Sequence, residues 1–490
     1  MRDDFDVLIV GGGPAGLFAA YWLLLNTSLR VCLVDRGLPV RERRCPLVIK
    51  AQAPKRKSSP KNLEESSPRV APANQCLHCK PACHILHGLG GAGLFSDGKL
   101  NFIHKLGKSD LTQFMPVPAA ISLIEETEDI FNRFGMDGPA YPSDKAAAEN
   151  LRQQSRIQGL DLLLIRQKHL GSDLLPAHID RMCSFLLEAG LELRPGENVL
   201  EIVVEDGRAG GARTDKGEIR AKAVILAPGR GGADWMMTLA SRFKLRISQR
   251  DIEVGVRVEV PREILEAITG IIYDPTFFVR TGGHDDQART FCTNPAGFVS
   301  LENYAKFACV NGYSLKHSKS DNSNFAFLSK VILADPVSNS HNYGEAIGSL
   351  SALIGGGKPL LQRFGDLKRG RRSTWPRIND GRLVPTLREV TPGDISLALP
   401  GRILNNLVDG LEQLNKIIPG VTNEETLLYA PEIKFFSSQV KTDEHLETSV
   451  GGLFVAGDGP GVSGNIVAAA ATGLIPAKRI GEVLRSTRTI

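Results

Sequence analysis

The sequence predicts an α/β fold in which a discontinuous domain with a parallel sheet encloses an inserted α+β domain. Three observations predict it. A strand, a glycine-rich turn and a helix open the chain at residues 5–25, a strand ending in a tight turn lies at 223–229, and an apolar strand precedes a Gly-Asp pair at 457–458. Each run is apolar without alternation, as expected for strands buried on both faces of a parallel sheet.

Composition sets the broad class of protein. The chain has 490 residues, of which 42% are hydrophobic and 23% charged, so most of it is expected to fold. The net charge of +5 and the pI of 8.7 fall short of the pI above ~9 typical of nucleic-acid binding, and a nucleic-acid partner is not expected. Eight cysteines do not make a disulfide scaffold at this length. Without a secretory signal, the expected compartment is a reducing cytoplasm.

The first unit carries a nucleotide fingerprint. Residues 11–16 have the spacing G-x-G-x-x-G, and an acidic residue ends the next strand about 20 residues later. The first glycine permits the turn, the second lets the backbone approach a pyrophosphate, and the third lets the helix pack closely on the strand. These glycines also exclude a membrane span over residues 7–25. The predicted nucleotide-binding residues here are Gly11, Gly13, Pro14, Ala15, Gly16, Asp35 and Arg36.

The C-terminal region carries a second signature. Residues 448–458 fit the pattern T-x-x-x-x-h-h-h-h-G-D, where h is apolar. This resembles the second flavin signature of the Rossmann-like FAD-binding fold of the glutathione-reductase type. In that family the aspartate contacts the ribityl chain, and a following helix points its N-terminus at the flavin ring. The resemblance implies such roles for Gly457, Asp458, Gly464, Asn465 and Ile466.

A third signature lies between these two. Residues 223–229 form a predicted strand and turn, with Pro228 where the family usually has threonine. Only the backbone role is therefore carried over, to Ala227 and Gly229. The sequence holds no second strand–GxGxxG–helix unit, so NAD(P)H as electron donor would bind without a Rossmann unit of its own.

The spread of the three signatures predicts the domain division. The FAD-binding domain takes residues 1–250, with a basic loop at 36–75 and a cysteine cluster at 76–84, and resumes at 426–490. A substrate domain takes residues 251–425. The chain further resembles a group of uncharacterised bacterial and archaeal FAD-dependent dehydrogenases, through residues 88–99, 253–257, 289–295 and 429–434. That resemblance implies the fold and the cofactor but not the substrate.

A glycine-rich loop follows the cysteine cluster. Residues 88–99 hold five glycines, and such a loop can bring backbone N–H groups and a cation to a phosphate or a flavin edge. The alternative is a flexible surface loop with a solvated lysine. The residues predicted to contact the cofactor are Gly90, Gly91, Ala92, Ser96 and Lys99.

The cysteine cluster allows three interpretations. Cys76, Cys79 and Cys83, with Cys45 upstream, could bind zinc or an iron–sulfur cluster, since thiolates are ligands that both prefer. A pair formed by Cys76 and Cys79 could instead exchange electrons with FAD. The third interpretation is reduced thiols in a surface loop.

The middle of the chain gives weaker signals. Residues 251–260 alternate, which predicts a half-buried strand, and residues 289–299 predict a hairpin. Arg289, Asn294 and Lys99 are candidates for holding a substrate, and no catalytic set stands out. Residues 358–388 hold nine basic and two acidic side chains, which suggests attraction of an anion.

The functional hypothesis is an FAD-dependent oxidoreductase that transfers a hydride between bound flavin and a small molecule, which could be anionic. Two alternatives stay open: a flavoprotein that acts on or binds RNA, and an electron-transfer flavoprotein with an iron–sulfur centre. The sequence does not define the oligomeric state.

Overall fold

The computed structural model describes residues 3–45, 79–96, 98–171, 174–248, 251–304, 306–315, 318–333, 340–435 and 438–486. The helices are α1 (Pro14–Asn26), α2 (Val117–Arg133), α3 (Lys145–Ile157), α4 (Leu175–Glu188), α5 (Ala233–Arg242), α6 (Arg262–Thr269), α7 (Ser340–Ile354), α8 (Phe364–Lys368), α9 (Trp375–Asn379), α10 (Gly401–Leu414) and α11 (Ile466–Ser486). 

The strands are β1 (Asp3–Val10), β2 (Val31–Asp35), β3 (Lys99–Phe102), β4 (Lys105–Leu106), β5 (Ser109–Asp110), β6 (Ala140–Tyr141), β7 (Leu160–Leu163), β8 (Arg166–His169), β9 (Glu192–Pro195), β10 (Val199–Glu205), β11 (Arg208–Thr214), β12 (Glu218–Leu226), β13 (Ile247–Ser248), β14 (Ile252–Pro261), β15 (Thr276–Arg280), β16 (Gln287–Asn294), β17 (Phe298–Asn303), β18 (Ala308–Tyr313), β19 (Asn322–Val331), β20 (Leu360–Arg363), β21 (Thr391–Pro392), β22 (Leu427–Lys434), β23 (Gln439–Val440) and β24 (Leu453–Val455).

A seven-stranded sheet brings the three distant sequence segments together. Its order is β10-β11-β12-β1-β2-β9, with β24 paired to β12. β1 pairs in parallel with β2 and β12, and β12 pairs in parallel with β24. Val7, Leu8 and Ile9 of β1 are completely buried, as expected for a central strand of a parallel sheet. The protein is therefore an α/β protein with a parallel core sheet, as the sequence predicts.

The first and last helices pack against each other beside this sheet. A Cβ added at Gly473 of α11 would lie 2.0 Å from the carbonyl oxygen of Ala15 in α1. Only a glycine permits this close approach, which joins the C-terminal helix to the first nucleotide-binding turn. α1 has 13 residues, and in the part of the chain that the structure describes no helix is both long and apolar enough to cross a membrane.

An eight-stranded, mostly antiparallel sheet forms the second core. Its order is β21-β20-β22-β14-β19-β16-β15-β7. Helix α10 lies on it, where Gly410 leaves room for the ring of Phe327. Strand β22 follows the predicted boundary at residue 425, and its pairing with β14 places it in this second sheet. The division into domains stays a prediction.

Strand β14 is buried on both faces, so the prediction of a half-buried strand is wrong. The side chains of Glu253, Arg257 and Glu259 are at most 8% exposed. All three have partners inside the protein. Glu253 pairs with Arg289, and Arg257 pairs with Glu432. Glu259 accepts hydrogen bonds from Thr386 and Tyr429. Alternation of apolar and charged residues along a strand therefore predicts a solvent-exposed charged face only when the charged side chains have no buried partners.

The predicted hairpin at residues 289–299 is also wrong. β16 pairs with β15 and β19, whereas β17 pairs with β18. The register of β16 against β19 shifts between Phe291 and Asn294, and both Cys292 and Ala296 have positive φ angles, 50° and 46°. This irregular backbone ends the pairing of β16 with β19. The chain therefore does not turn back to pair with β16, as a hairpin would require.

Candidate functional site

The glycine-rich turn between β1 and α1 has the tight geometry that its spacing predicts. Gly11 has a φ of +111°, and an added Cβ would lie 2.1 Å from the carbonyl oxygen of Ala227. An added Cβ at Gly16 would lie 1.9 Å from the carbonyl oxygen of Gly11. At Gly13 the nearest atom to such a Cβ is the Cα of Gly91, 3.6 Å away. The helix N-terminus therefore has open space in front of its N–H groups, as phosphate binding requires.

Asp35, at the end of β2, organises the same turn. Its Oδ2 accepts a hydrogen bond from the Gly12 N–H at 2.8 Å, and its Oδ1 accepts from Gly37 at 2.7 Å and Gly88 at 2.9 Å. A carboxylate has about four acceptor positions, so capacity remains for a ribose hydroxyl. Arg36 points elsewhere: its Nη2 donates to Nε2 of His87 at 2.5 Å.

Arg43 holds the glycine-rich loop in place. Its side chain is buried and donates hydrogen bonds to the carbonyl oxygens of residues 84, 85, 88, 89 and 91, at 2.6–3.4 Å. Burial lowers the pKa of Arg43 to about 10, against the attraction of Asp35. The Gly90 N–H in turn donates to the Gly12 carbonyl at 2.8 Å. These hydrogen bonds fix the described part of the loop against the glycine-rich turn. Its contact with a cofactor stays a prediction.

Asp458 contacts two cations from distant parts of the chain. Lys108 donates to its Oδ1, and Nε of Arg230 donates to its Oδ2 at 3.2 Å. Burial alone would raise the pKa of Asp458, but Lys108 and Arg230 outweigh burial and lower it. A permanently ionised acceptor at this point suits the hydroxyl groups of a ribityl chain.

The N-terminus of α11 is anchored by the hairpin that carries Lys108. The Gly464 N–H donates to Oγ of Ser109 at 2.8 Å, and Nδ2 of Asn465 lies 3.2 Å from the same oxygen. Oδ1 of Asn465 caps the helix by accepting from the Ala468 N–H. Helix α11 therefore begins where the sequence predicts it, at Ile466.

One cavity of about 2900 Å³ extends from these elements to the second sheet. Gly11, Gly16, Gly90 and Arg36 support its wall without lining it. The predicted cofactor residues that line it are Gly13, Pro14, Ala15, Asp35, Gly91, Ala92, Ser96, Lys99, Ala227, Gly229, Gly457, Asp458, Gly464, Asn465 and Ile466.

The residues present fit an FAD molecule. The open space at Gly13 and the free N-terminus of α1 suit a pyrophosphate, the Asp35 carboxylate suits a ribose, and the ionised Asp458 suits a ribityl chain. The cavity then continues to charged side chains of the second sheet, where a substrate would meet the cofactor.

Lys99 lies at that far end of the cavity and is not a solvated lysine. It is 9% exposed, and its Nζ donates to the Thr293 carbonyl at 2.5 Å and to Oδ2 of Asp274 at 3.2 Å. Arg289 lies nearby in β16 and pairs with Glu253. Asn294 is completely buried and donates to the Cys292 carbonyl at 2.8 Å, so it supports the strand end and does not line the cavity.

The cysteine hypothesis is only partly covered. Cys45, Cys79 and Cys83 are free thiols near one rim of the cavity, and Cys76 lies outside the described residues, as does most of the basic loop. Within the described ranges, no group of three or more His, Cys, Asp or Glu side chains is arranged to hold a metal ion. Metal or cluster binding by the full set stays a prediction.

Part of the basic segment 358–388 is neutralised by ion pairs. Lys368 pairs with Glu412, Arg369 with Glu424, and Arg371 with Asp366. These three cations do not line the cavity, whereas Arg382 and Arg388 of the same segment do. The anion-attracting role suggested for this segment stays a prediction.

Four residues of the site were missed by sequence reasoning: Lys108, Arg230, Arg43 and His87. Arg230 directly follows the third signature, so its position gave a signal. The other three lie in stretches with no recognisable motif, and only their contacts reveal a role.

Comparison with known proteins supports the cofactor. Residues 251–434 match the protein family described as "FAD-dependent protein, C-terminal domain-like". An uncharacterized protein of Clostridium beijerinckii is 25% identical over 500 residues, which cover 97% of this chain and 80% of the relative. The second core of the chain is therefore similar to a domain of FAD-dependent proteins.

Solved flavoenzyme structures are similar at a lower level. A variant of E. coli quinol fumarate reductase FrdA has 13% identity and a TM-score of 0.43, covering 99% of this chain and 72% of that one. Glycine oxidase from Bacillus cereus has 12% identity and a TM-score of 0.37, covering 98% and 95%. L-Proline dehydrogenase from P. horikoshii has 10% identity and a TM-score of 0.39, covering 99% and 95%. At these values the likeness carries no argument about activity.

Proposed function

We propose that the protein is an FAD-dependent oxidoreductase with a glutathione-reductase-type FAD-binding domain, acting on a small molecule held between flavin and the second sheet. The observation that carries the proposal is that segments 5–35, 223–229 and 448–466, far apart in sequence, line one cavity that ends at a second sheet related to FAD-dependent proteins. Bound FAD supplies acceptance or donation of a hydride.

In this proposal, different residues of the chain bind different parts of FAD. The turn at Gly11–Gly16 and the loop fixed by Arg43 hold the pyrophosphate and the adenosine side. Asp458, kept ionised by Lys108, holds the ribityl side. The N-terminus of α11, capped by Asn465, offers its positive dipole end to the negative charge that develops on a reduced flavin ring.

The purified protein tests the proposal directly. We expect visible flavin absorption, either as purified or after addition of FAD and removal of free ligand. Anaerobic mixing with NADH, NADPH and candidate small molecules is then expected to bleach the oxidised flavin bands with at least one of them. A protein that takes up no FAD under any of these conditions would overturn the proposal.

A further inference from the structure

Two buried arginine–glutamate pairs lie in the second sheet, and their arginines differ in whether Nη1 has a hydrogen-bond partner. In the first, Arg257 donates from Nε and Nη2 to Glu432 at 2.7 and 2.6 Å, and from Nη1 to the Cys292 carbonyl at 2.9 Å. In the second, Arg289 donates from Nε and Nη2 to Glu253 at 2.8 and 2.6 Å, but its buried Nη1 has no hydrogen-bond partner among the residues that the structure describes. A buried donor on a charged group is costly to leave without a hydrogen bond, so a further partner such as a bound ligand is expected.

The arginine with the free donor is the one beside the cavity. Arg289 is 5% exposed and lines the cavity, with its guanidinium 4.7 Å from the ring of Phe291, another lining residue. An added Cβ at Gly107 would lie 3.9 Å from Nη2 of Arg289. The next residue, Lys108, donates to Asp458. The free donor therefore lies close to the element that holds the proposed flavin site.

A buried acceptor for which the described residues supply no partner lies in β3, a strand of the separate sheet β3-β8-β6. Oδ1 of Asn101 is buried, accepts no hydrogen bond from the described part of the chain, and belongs to a residue that lines the cavity. Asn101 is two residues after Lys99 and so projects from the same face of the strand. Lys99 bonds the carbonyl of Thr293, near the end of β16. Arg289 and Asn101 thus both line the cavity, and each has one buried polar atom for which the described residues supply no partner.

The local charge selects the kind of ligand. Arg289 is balanced by Glu253, and Lys99 is balanced by Asp274. A monoanion gains a charge-assisted hydrogen bond from Nη1 without facing a large excess of negative charge. A phosphate dianion would bring a second negative charge towards Glu253 and Asp274, the carboxylates that already pair with these two cations.

We propose that Arg289 and Asn101 form a substrate subsite for a small carboxylic acid with an N–H or O–H group near its carboxylate. The carboxylate accepts from Nη1 of Arg289, and the neighbouring group donates to Oδ1 of Asn101. This chemistry is that of an amino, imino or hydroxy acid. The assignment of the ligand as substrate rests on the proposed function, whereas binding of the carboxylate does not.

Four small probes test the subsite in the FAD-loaded protein: acetate, acetamide, glycolate and phosphate. Binding is measured by ligand-observed NMR and by perturbation of the bound flavin spectrum. We expect acetate to bind at least tenfold more tightly than acetamide, glycolate to bind more tightly than acetate, and phosphate not to displace either. Equal binding of acetate and acetamide, or displacement by phosphate, would contradict the proposal.

Two arginine variants provide a matched comparison. Arg289→Lys keeps a cation opposite Glu253 but removes the Nη1 donor, and Arg257→Lys makes the same exchange in the fully partnered pair. We expect Arg289→Lys to lose at least tenfold in acetate affinity, Arg257→Lys to keep it, and both to retain FAD. Unchanged acetate binding in Arg289→Lys would overturn the proposal. Loss of FAD from that variant alone would also overturn it, because flavin would then be the hydrogen-bond partner of Nη1.

A further variant keeps the test valid if the arginine variants do not fold. Asn101→Leu is expected to keep acetate binding and to lose the preference for glycolate, and a preference that persists would contradict the role of Asn101. Failure of the two proposals can be told apart. A wild-type protein that binds FAD but no carboxylate overturns the subsite alone, whereas one that binds acetate without FAD overturns the proposed function alone.

Discussion

Lys108 and Asp458, 350 positions apart in the sequence, form a buried ion pair in which Nζ of the lysine donates to Oδ1 of the aspartate. Their side chains are only 8% and 18% exposed. The pair fixes the β4–β5 hairpin against the C-terminal flavin signature, and it keeps the pKa of Asp458 low although burial alone would raise it. The hairpin is therefore a structural part of the proposed flavin site.

Removal of this cation is expected to weaken FAD binding. Lys108→Met leaves Asp458 with Arg230, whose side chain is 56% exposed, so the carboxylate becomes costlier to keep ionised. We expect a loss of about tenfold or more in FAD affinity, equivalent to about 1.4 kcal/mol, measured by fluorescence titration of the apoprotein. Lys105→Met in the same hairpin is the control, because Lys105 is 63% exposed and pairs with Asp110. Equal affinities for the two variants would contradict the role of Lys108.

A single methyl group at Gly13 is expected to block the pyrophosphate position without unfolding the protein. The added Cβ makes an ordinary contact of 3.6 Å with Gly91 but fills the space in front of α1. We therefore expect Gly13→Ala to lose about tenfold or more in FAD affinity with little change in melting temperature of the apoprotein. Gly401→Ala, whose Cβ meets no atom within 4 Å, is the matched control. Wild-type affinity in Gly13→Ala would exclude the predicted cradle.

Loss of Arg43 is expected to release the glycine-rich loop. Arg43→Met removes the donors for five backbone carbonyl groups, and buried acceptors left without partners cost about 1–3 kcal/mol each in unfavourable cases. We expect a loss of at least about 2 kcal/mol in the free energy of unfolding, measured in urea, with a parallel loss of FAD affinity. Arg41→Met is the control: its side chain is 83% exposed, and exposed ion pairs contribute about 0–1 kcal/mol. A variant of Arg43 as stable as the control would refute this role.

His87 is expected to make stability depend on pH below neutrality. Burial, together with Arg36 and Arg43, lowers the pKa of His87 from 6.5 to about 4. The folded protein therefore holds a neutral imidazole, while the unfolded chain takes up a proton below pH 6.5. Stability from this group is fully present above pH 6.5 and is lost as the pH falls towards about 4, by about 3 kcal/mol in total.

Urea denaturation of wild type and His87→Gln at several pH values measures this contribution. The wild-type protein is expected to lose more stability than the variant between pH 6.5 and about pH 4. Because neutral His87 accepts a hydrogen bond from Arg36, glutamine preserves an acceptor without the titration. Parallel pH profiles for the two proteins would show that His87 does not titrate as described.

Local sequence patterns predicted the elements that line one end of the cavity. The strand–glycine–helix unit, the acidic residue at the end of β2 and the Gly-Asp pair before α11 each depend on neighbours within about one element. Their residues are found around one cavity, because parallel strands of one sheet bring their carboxyl ends to the same edge. The glycine-rich loop belongs to the same wall, although the sequence also allowed a mobile loop.

The second sheet was predicted less well. Alternation in β14 suggested one face in water, whereas Glu253, Arg257 and Glu259 find buried partners on other strands or loops. The hairpin predicted after Arg289 does not form, because Cys292 and Ala296 adopt positive φ angles that cysteine and alanine do not favour. Both errors arise because partners distant in sequence decide burial and pairing.

By itself, the sequence determined the α/β class, the three flavin signatures and the acidic residues Asp35 and Asp458, since each follows from short-range periodicity or from backbone conformations that only glycine adopts easily. Tertiary structure alone decided that Lys108 reaches Asp458, that Arg43 fixes the glycine-rich loop and that Arg289 and Asn101 both line the cavity. These relationships depend on side chains that two separate sheets bring together. Contacts between residues so far apart in sequence produce no periodic pattern from which they could be predicted.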